Sequence, residues 1–76
     1  MSTATVYTLA PRSNGQVAVI DARTGNLKRV INHHGRLVST QVSGSLGTLM
    51  IQEKIGLHGH VYDLTNGSLK SRFQVR

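Results

Sequence analysis

The 76-residue sequence predicts an all-β fold of about seven short antiparallel strands. Two observations carry this reading. Glycine-bearing turn signals recur at short, even intervals, and the segments between them are rich in Val, Ile, Thr and Leu, the pattern of strands spaced by roughly 8–12 residues. No window repeats apolar residues at i, i+3, i+4 and i+7, so no helix of consequence is expected.

The elements follow in order. The first strand is read at 4–10 and is closed by Pro11-Arg12-Ser13-Asn14-Gly15. The second, 16–22, carries Val17 and Val19 on one side and Ala18, Ile20 and Ala22 on the other. A strand with one solvated face would alternate apolar with polar, so this one is expected inside a sheet covered on both sides. Arg23-Thr24-Gly25-Asn26 turns it into a third strand, 26–31, where Lys28 opposes Leu27 and Ile31. Asn32-His33-His34-Gly35 leads to the fourth, 36–42, and Ser43-Gly44-Ser45-Leu46-Gly47 to the fifth, 47–54. The fifth again has two apolar faces, Leu49 and Ile51 against Met50. Gly56-Leu57-His58-Gly59 is read as a turn before the sixth, 59–64, and Thr65-Asn66-Gly67 as the turn into the seventh, 68–75. The third and seventh strands put Lys28, Lys70 and Arg72 on one side, as edge strands do to discourage edge-to-edge pairing.

Length and composition bound the rest. Leu, Ile, Val and Phe make up 21 of the 76 residues, too many for a disordered polar tail. With no Cys there is neither a disulfide framework nor a thiolate metal site. A single domain, 1–76, is expected, near the size at which a lone core becomes marginal. No apolar run approaches the ~18 residues of a membrane span, and Met1 to Leu9 lacks the features of a signal peptide. The expectation is therefore no membrane partner and a cytoplasmic or virion-associated location.

A shift of 42 residues lays Val19-Ile20-Asp21-Ala22-Arg23-Thr24-Gly25-Asn26-Leu27-Lys28 on Val61-Tyr62-Asp63-Leu64-Thr65-Asn66-Gly67-Ser68-Leu69-Lys70. Val, Asp, Gly, Leu and Lys are identical, and Ile31 falls on Phe73. Upstream, Val6-Tyr7-Thr8-Leu9 falls on Thr48-Leu49-Met50-Ile51. Two repeats result, about 4–31 and 36–75, each a strand, an Asp, a polar turn ending in Gly, and a Leu-led strand. The Asp is expected to accept hydrogen bonds from turn amides and the Gly to take the left-handed position.

This unit resembles a β-propeller blade of the WD-repeat and quinoprotein-like kinds. The resemblance rests on Val17-Ala18-Val19-Ile20-Asp21 with Thr24-Gly25-Asn26-Leu27, and on His60-Val61-Tyr62-Asp63-Leu64 with Asn66-Gly67-Ser68-Leu69. Val38 to Met50 resembles the first two strands of such a blade. The sequence departs from the family in having no Trp before either Asp and no Gly-His pair at the WD-repeat position. The resemblance implies blades that pack on neighbours through both faces, which two blades alone do not supply. The first repeat is also one strand short, a strand expected before Met1. Closure by oligomerisation follows, with a trimer giving a six-bladed ring and strands 36–42 and 68–75 pairing between chains at Phe73 and Val75. The alternative is a small β-barrel or sandwich.

Few residues offer chemistry. Asp21, Glu53 and Asp63 are the only carboxylates, and two of them stand at equivalent turns. There is no Cys nucleophile, no nucleophile elbow and no phosphate loop, so the chain is read as a non-enzyme with no cofactor. His58 and His60, two apart on a strand, project to one face, and such a pair can ligate a transition metal if other ligands join it. His33 and His34 fall in a loop. The aromatics are Tyr7, Tyr62 and Phe73, with Phe73 expected in the core, which argues against single-strand binding by base stacking.

Charge is the strongest functional signal. Nine Lys and Arg against three Asp and Glu give a net +6 and a pI near 11.0. Arg12, Arg23, Lys28, Arg29, Arg36, Lys70 and Arg72 are read as polyanion-binding, and in a ring Lys28 and Lys70 would recur as a belt that attracts phosphates without reading sequence. The expected function is a self-assembling β module that binds nucleic acid or another polyanion. The alternative is a structural or protein-interaction component, such as a virion, plasmid or assembly protein, whose partner is another protein.

Overall fold

Hydrogen bonding divides the chain into two antiparallel meanders. The computed structural model describes residues 5–75, all strand and turn with no helix among them. The first sheet is β1 (Tyr7–Pro11), β2 (Gln16–Asp21) and β3 (Leu27–Asn32), in that order. The second is β4 (Arg36–Ser43), β5 (Leu46–Glu53), β6 (Gly56–Asp63) and β7 (Leu69–Val75). The all-β class and the seven strands are as the sequence predicts. So are the interior positions of β2 and β5 and the edge positions of β3 and β7. The expected start of the first strand at Ala4 and the cation Arg76 lie outside the described residues.

The core is the seam between the sheets. Tyr7, Val17, Val19 and Ile31 of the first sheet form one buried cluster with Leu49, Ile51 and Leu64 of the second. Leu9, Leu37 and Tyr62 pack against it. Period-2 alternation makes this possible, because Val17 and Val19 point one way while Ala18 and Ile20 point the other. The sheets approach closely at Gly47, where an added Cβ would stand 2.8 Å from a Leu64 methyl and 3.2 Å from a Leu9 methyl. No side chain fits there.

The two Asp turns are built alike, 42 residues apart. The Asp21 and Asp63 carboxylates each accept a hydrogen bond from the amide two residues on, Arg23 and Thr65, both at 2.9 Å. The Gly25 and Gly67 amides donate back to the Asp21 and Asp63 carbonyls at 2.7 Å, with φ of 79° at both glycines. Each hairpin then carries a β-bulge, between Val19 and Ile20 and between Val61 and Tyr62. The bulge leaves Lys28 and Lys70 as the residues without a facing partner. Substitution of either glycine by a β-branched residue would strain the backbone, since only glycine takes this φ without cost.

The correspondence changes upstream. Tyr7 pairs with Asp21 and Pro11 with Val17, whereas Leu46 pairs with Asp63 and Met50 with Gly59. The first strand therefore matches the second sheet at an offset of 39 residues, not the 42 that laid Val6-Tyr7-Thr8-Leu9 on Thr48-Leu49-Met50-Ile51. The β5–β6 hairpin is longer by three residues, and an odd difference exchanges the faces of the strand.

Two further expectations are corrected. Residues 56–59 are the start of β6, not a turn, and the chain reverses at Lys54-Ile55, with Glu53 paired to Gly56. Gly59 is glycine for another reason: the Phe73 ring lies over it, and a Cβ there would overlap the ring. Phe73 itself is not in the core. It is 46% exposed on the face of the second sheet that points away from the first.

Both outward faces mix apolar with polar side chains: Thr8, Gln16 and Asn32 lie on the outer side of the first sheet, and Gln41, Thr48, Gln52 and Ser71 on that of the second. Register places Ala10, Ala18, Ile20 and Val30 on the outer side of the first sheet. It places Met50, Leu57, Val61, Phe73 and Val75 on the outer side of the second.

Candidate functional site

The strand order sorts the charged side chains to the two ends of the stacked sheets. In a sequential meander every second turn falls at the same end, so the two Asp turns share one end. The β1–β2 turn, the β3–β4 link and the β5–β6 turn share the other. At the first end lie Arg23, Lys28 and Lys70, all exposed. Their neighbours Asp21 and Asp63 are occupied by turn amides. Arg72, also exposed, stands on β7 opposite His60.

Arg29, another of the expected cations, is engaged within the fold. Its guanidinium crosses the seam and donates to the Thr65 carbonyl at 2.6 Å, and its side chain covers Gly67. It ties the β6–β7 turn to the first sheet. Arg29→Met should lower stability by about 1–2 kcal/mol through that bond. Oligonucleotide affinity of the folded variant should change little, and thermal denaturation with a binding titration checks both.

At the second end a cleft of about 470 Å³ opens between the β1–β2 turn and β4. Arg12, Ser13, His33, Arg36, Ser39 and Thr40 supply its polar lining, and no carboxylate lines it. Both ring nitrogens of His33 are buried without a hydrogen-bond partner. A bulge between Leu37 and Ser39 turns Val38 outward at the rim, leaving it 56% exposed.

The histidine pair takes the expected common face. His58 and His60 line a second cleft of about 310 Å³ with Glu53, Ile55, Arg72 and Gln74. Burial lowers the His60 pKa from its ordinary 6.5; Glu53 opposes that shift, and Arg72, His58 and His33 reinforce it. His58 Nε2 is buried with no partner. Among the described residues no three His, Cys, Asp or Glu side chains are grouped to hold a metal ion.

These shifts set an acid limb of stability. The Thr65 hydroxyl and amide, with Lys70 and Arg29 beyond, hold the Asp63 carboxylate below its ordinary 3.8. For both groups the unfolded chain binds the proton first as pH falls, so acid favours unfolding. The melting temperature should decline below pH 6.5 through His60, then again below pH 3.8 through Asp63. His60→Gln should remove the first decline and Asp63→Asn the second. A wild-type melting temperature that stays flat from pH 7 to below pH 5 would contradict the His60 assignment.

Comparison with known protein families, with characterised proteins and with solved structures returns no match. The reading of function rests on the chain itself. Sequence reasoning named Arg12 and Arg36 separately but did not bring them together, and it did not place Glu53 beside His60. The usable signal was turn parity: with strands at 4–10, 16–22 and 26–31, the turns at 11–15 and 32–35 must share an end.

Proposed function

We propose that this chain is a non-enzymatic, self-assembling β module whose basic surface binds nucleic acid or another polyanion. The observation that carries the reading is the placement of charge. Arg12, Arg23, Lys28, Arg36, Lys70 and Arg72 are exposed, while the two Asp carboxylates are taken up by turn amides. The cations are free to contact phosphates, and contacts of that kind release counterions. Assembly is supported by the apolar side chains on the outer faces, Ile20 and Val30 of the first sheet and Met50, Phe73 and Val75 of the second, which a head-to-tail neighbour would cover. In a six-bladed ring of three chains the bulge lysines Lys28 and Lys70 repeat around the circumference.

The test is a titration of labelled duplex DNA followed by fluorescence anisotropy. Affinity should fall steeply and log-linearly with salt, by close to one unit of slope for each phosphate contacted. Reversing Lys28 and Lys70 to Glu should weaken binding and flatten that slope. Absence of binding at low salt would remove the polyanion reading and leave a structural or protein-interaction component.

A further inference from the structure

We infer that the cleft between the β1–β2 turn and β4 is a phosphate-ester site, with Arg12 and Arg36 as its anion-binding pair. The inference deepens the polyanion reading and rests on it for its biological setting, but the cleft stands on its own geometry. Arg12 comes from a turn of the first sheet and Arg36 opens the first strand of the second, and the fold brings both to one concavity. Its volume, about 470 Å³, lies in the range of small-molecule sites.

Nothing within the cleft balances the two guanidinium groups, since no Asp or Glu lines it. Each guanidinium offers a planar fork that fits phosphate oxygens two at a time. Ser13 adds a hydroxyl donor, Ser39 and Thr40 face opposite sides of β4 so that one of them can join it, and His33, whose ring nitrogens are buried and unsatisfied, also lines the cleft. A carboxylate has two oxygens and would leave much of this donor set unused; a phosphate has three or more. Buried polar nitrogens without partners are uncommon in folded proteins, and a bound group that reaches them, directly or through water, is one of their explanations. Pro11, Leu37 and Val38 give the rim an apolar side against which the organic part of an ester would lie. The bulge at Leu37/Ser39 opens the strand at this place, as bulges do beside binding sites.

The chemistry admits two sources, a free nucleotide and a nucleotide unit within a strand. Amide chemical-shift mapping with adenosine monophosphate and with a short single-stranded oligonucleotide separates them. Either ligand should shift the amides of Ser13, Gly15, Gly35 and Ser39, and R12Q with R36Q should weaken binding at least about tenfold. If both ligands use the cleft, the site serves a strand; if only the mononucleotide does, the cleft is a free-nucleotide site; and if the mononucleotide uses it while the oligonucleotide binds nowhere on the chain, the cleft stands and the polyanion reading fails. Oligonucleotide binding that survives R12Q/R36Q, with no shift at the cleft amides, would overturn the site and leave the general basic surface intact. Shift mapping uses the wild-type chain, so the test holds even where the double variant does not fold.

Discussion

Leu49→Ala is expected to leave the chain largely unfolded at room temperature. Leu49 is fully buried at the centre of the seam, where β5 meets the first sheet. Truncating such a residue costs about 2–5 kcal/mol in lost transfer energy and cavity. Short chains without disulfides seldom have more than about 3–5 kcal/mol of net stability. A single deletion therefore consumes most of it. Circular dichroism and one-dimensional NMR decide the matter: loss of dispersed amide signals is expected, and a melting temperature within a few degrees of wild type would show that the seam is not the core.

Phe73→Glu combined with Val75→Glu should abolish assembly while leaving the β-fold in place. Both residues lie on the outer face of β7, 46% and 36% exposed, next to Met50, Leu57 and Val61. The opposite surface of the stacked pair carries half-buried Ala10, Ile20 and Val30 around the buried Ala18, with Thr8 beside them. In the proposed assembly these two different faces would meet head to tail, a contact that closes into a ring when the rotation fits. Carboxylates at that contact would be buried without partners, a cost that association does not recover. The double variant should elute as a single chain with an unchanged β-sheet spectrum. An unchanged assembly would place the contact elsewhere, with the strand edges β4 and β7 as the next surfaces to alter.

The hairpins around Asp21 and Asp63 were legible in the sequence because everything that shapes them is local. An Asp two residues before the amide it accepts from, and a Gly at the left-handed position, act within a six-residue window. The order of edge and interior strands was legible as well, from the cations of the third and seventh segments and from Val17 to Ile20 apolar on both faces. The faces of the two edge strands were not: their bulges put Leu27 and Ile31 on opposite sides, and Leu69 with Arg72 opposite Phe73. What escaped depended on residues far apart in the chain. Gly59 reads as a turn residue until Phe73 is found stacked on it from the next strand. Arg29 reads as a surface cation until the turn at Thr65, 36 residues on, supplies its acceptor. The three-residue difference between the β1–β2 and β5–β6 hairpins is invisible to a fixed 42-residue shift, and it exchanges the faces of the strand. The candidate cleft escaped for the same reason, since Arg12 and Arg36 meet only once two turns are known to share an end.

On the proposed reading, the stacked pair of sheets covers the apolar side chains of its outer faces with further copies of the same chain. Light scattering on the purified chain at micromolar concentration tests it most directly. A mass of about 25 kDa is expected, three chains of 8.3 kDa in a closed ring. A stable, folded species of 8.3 kDa would contradict it.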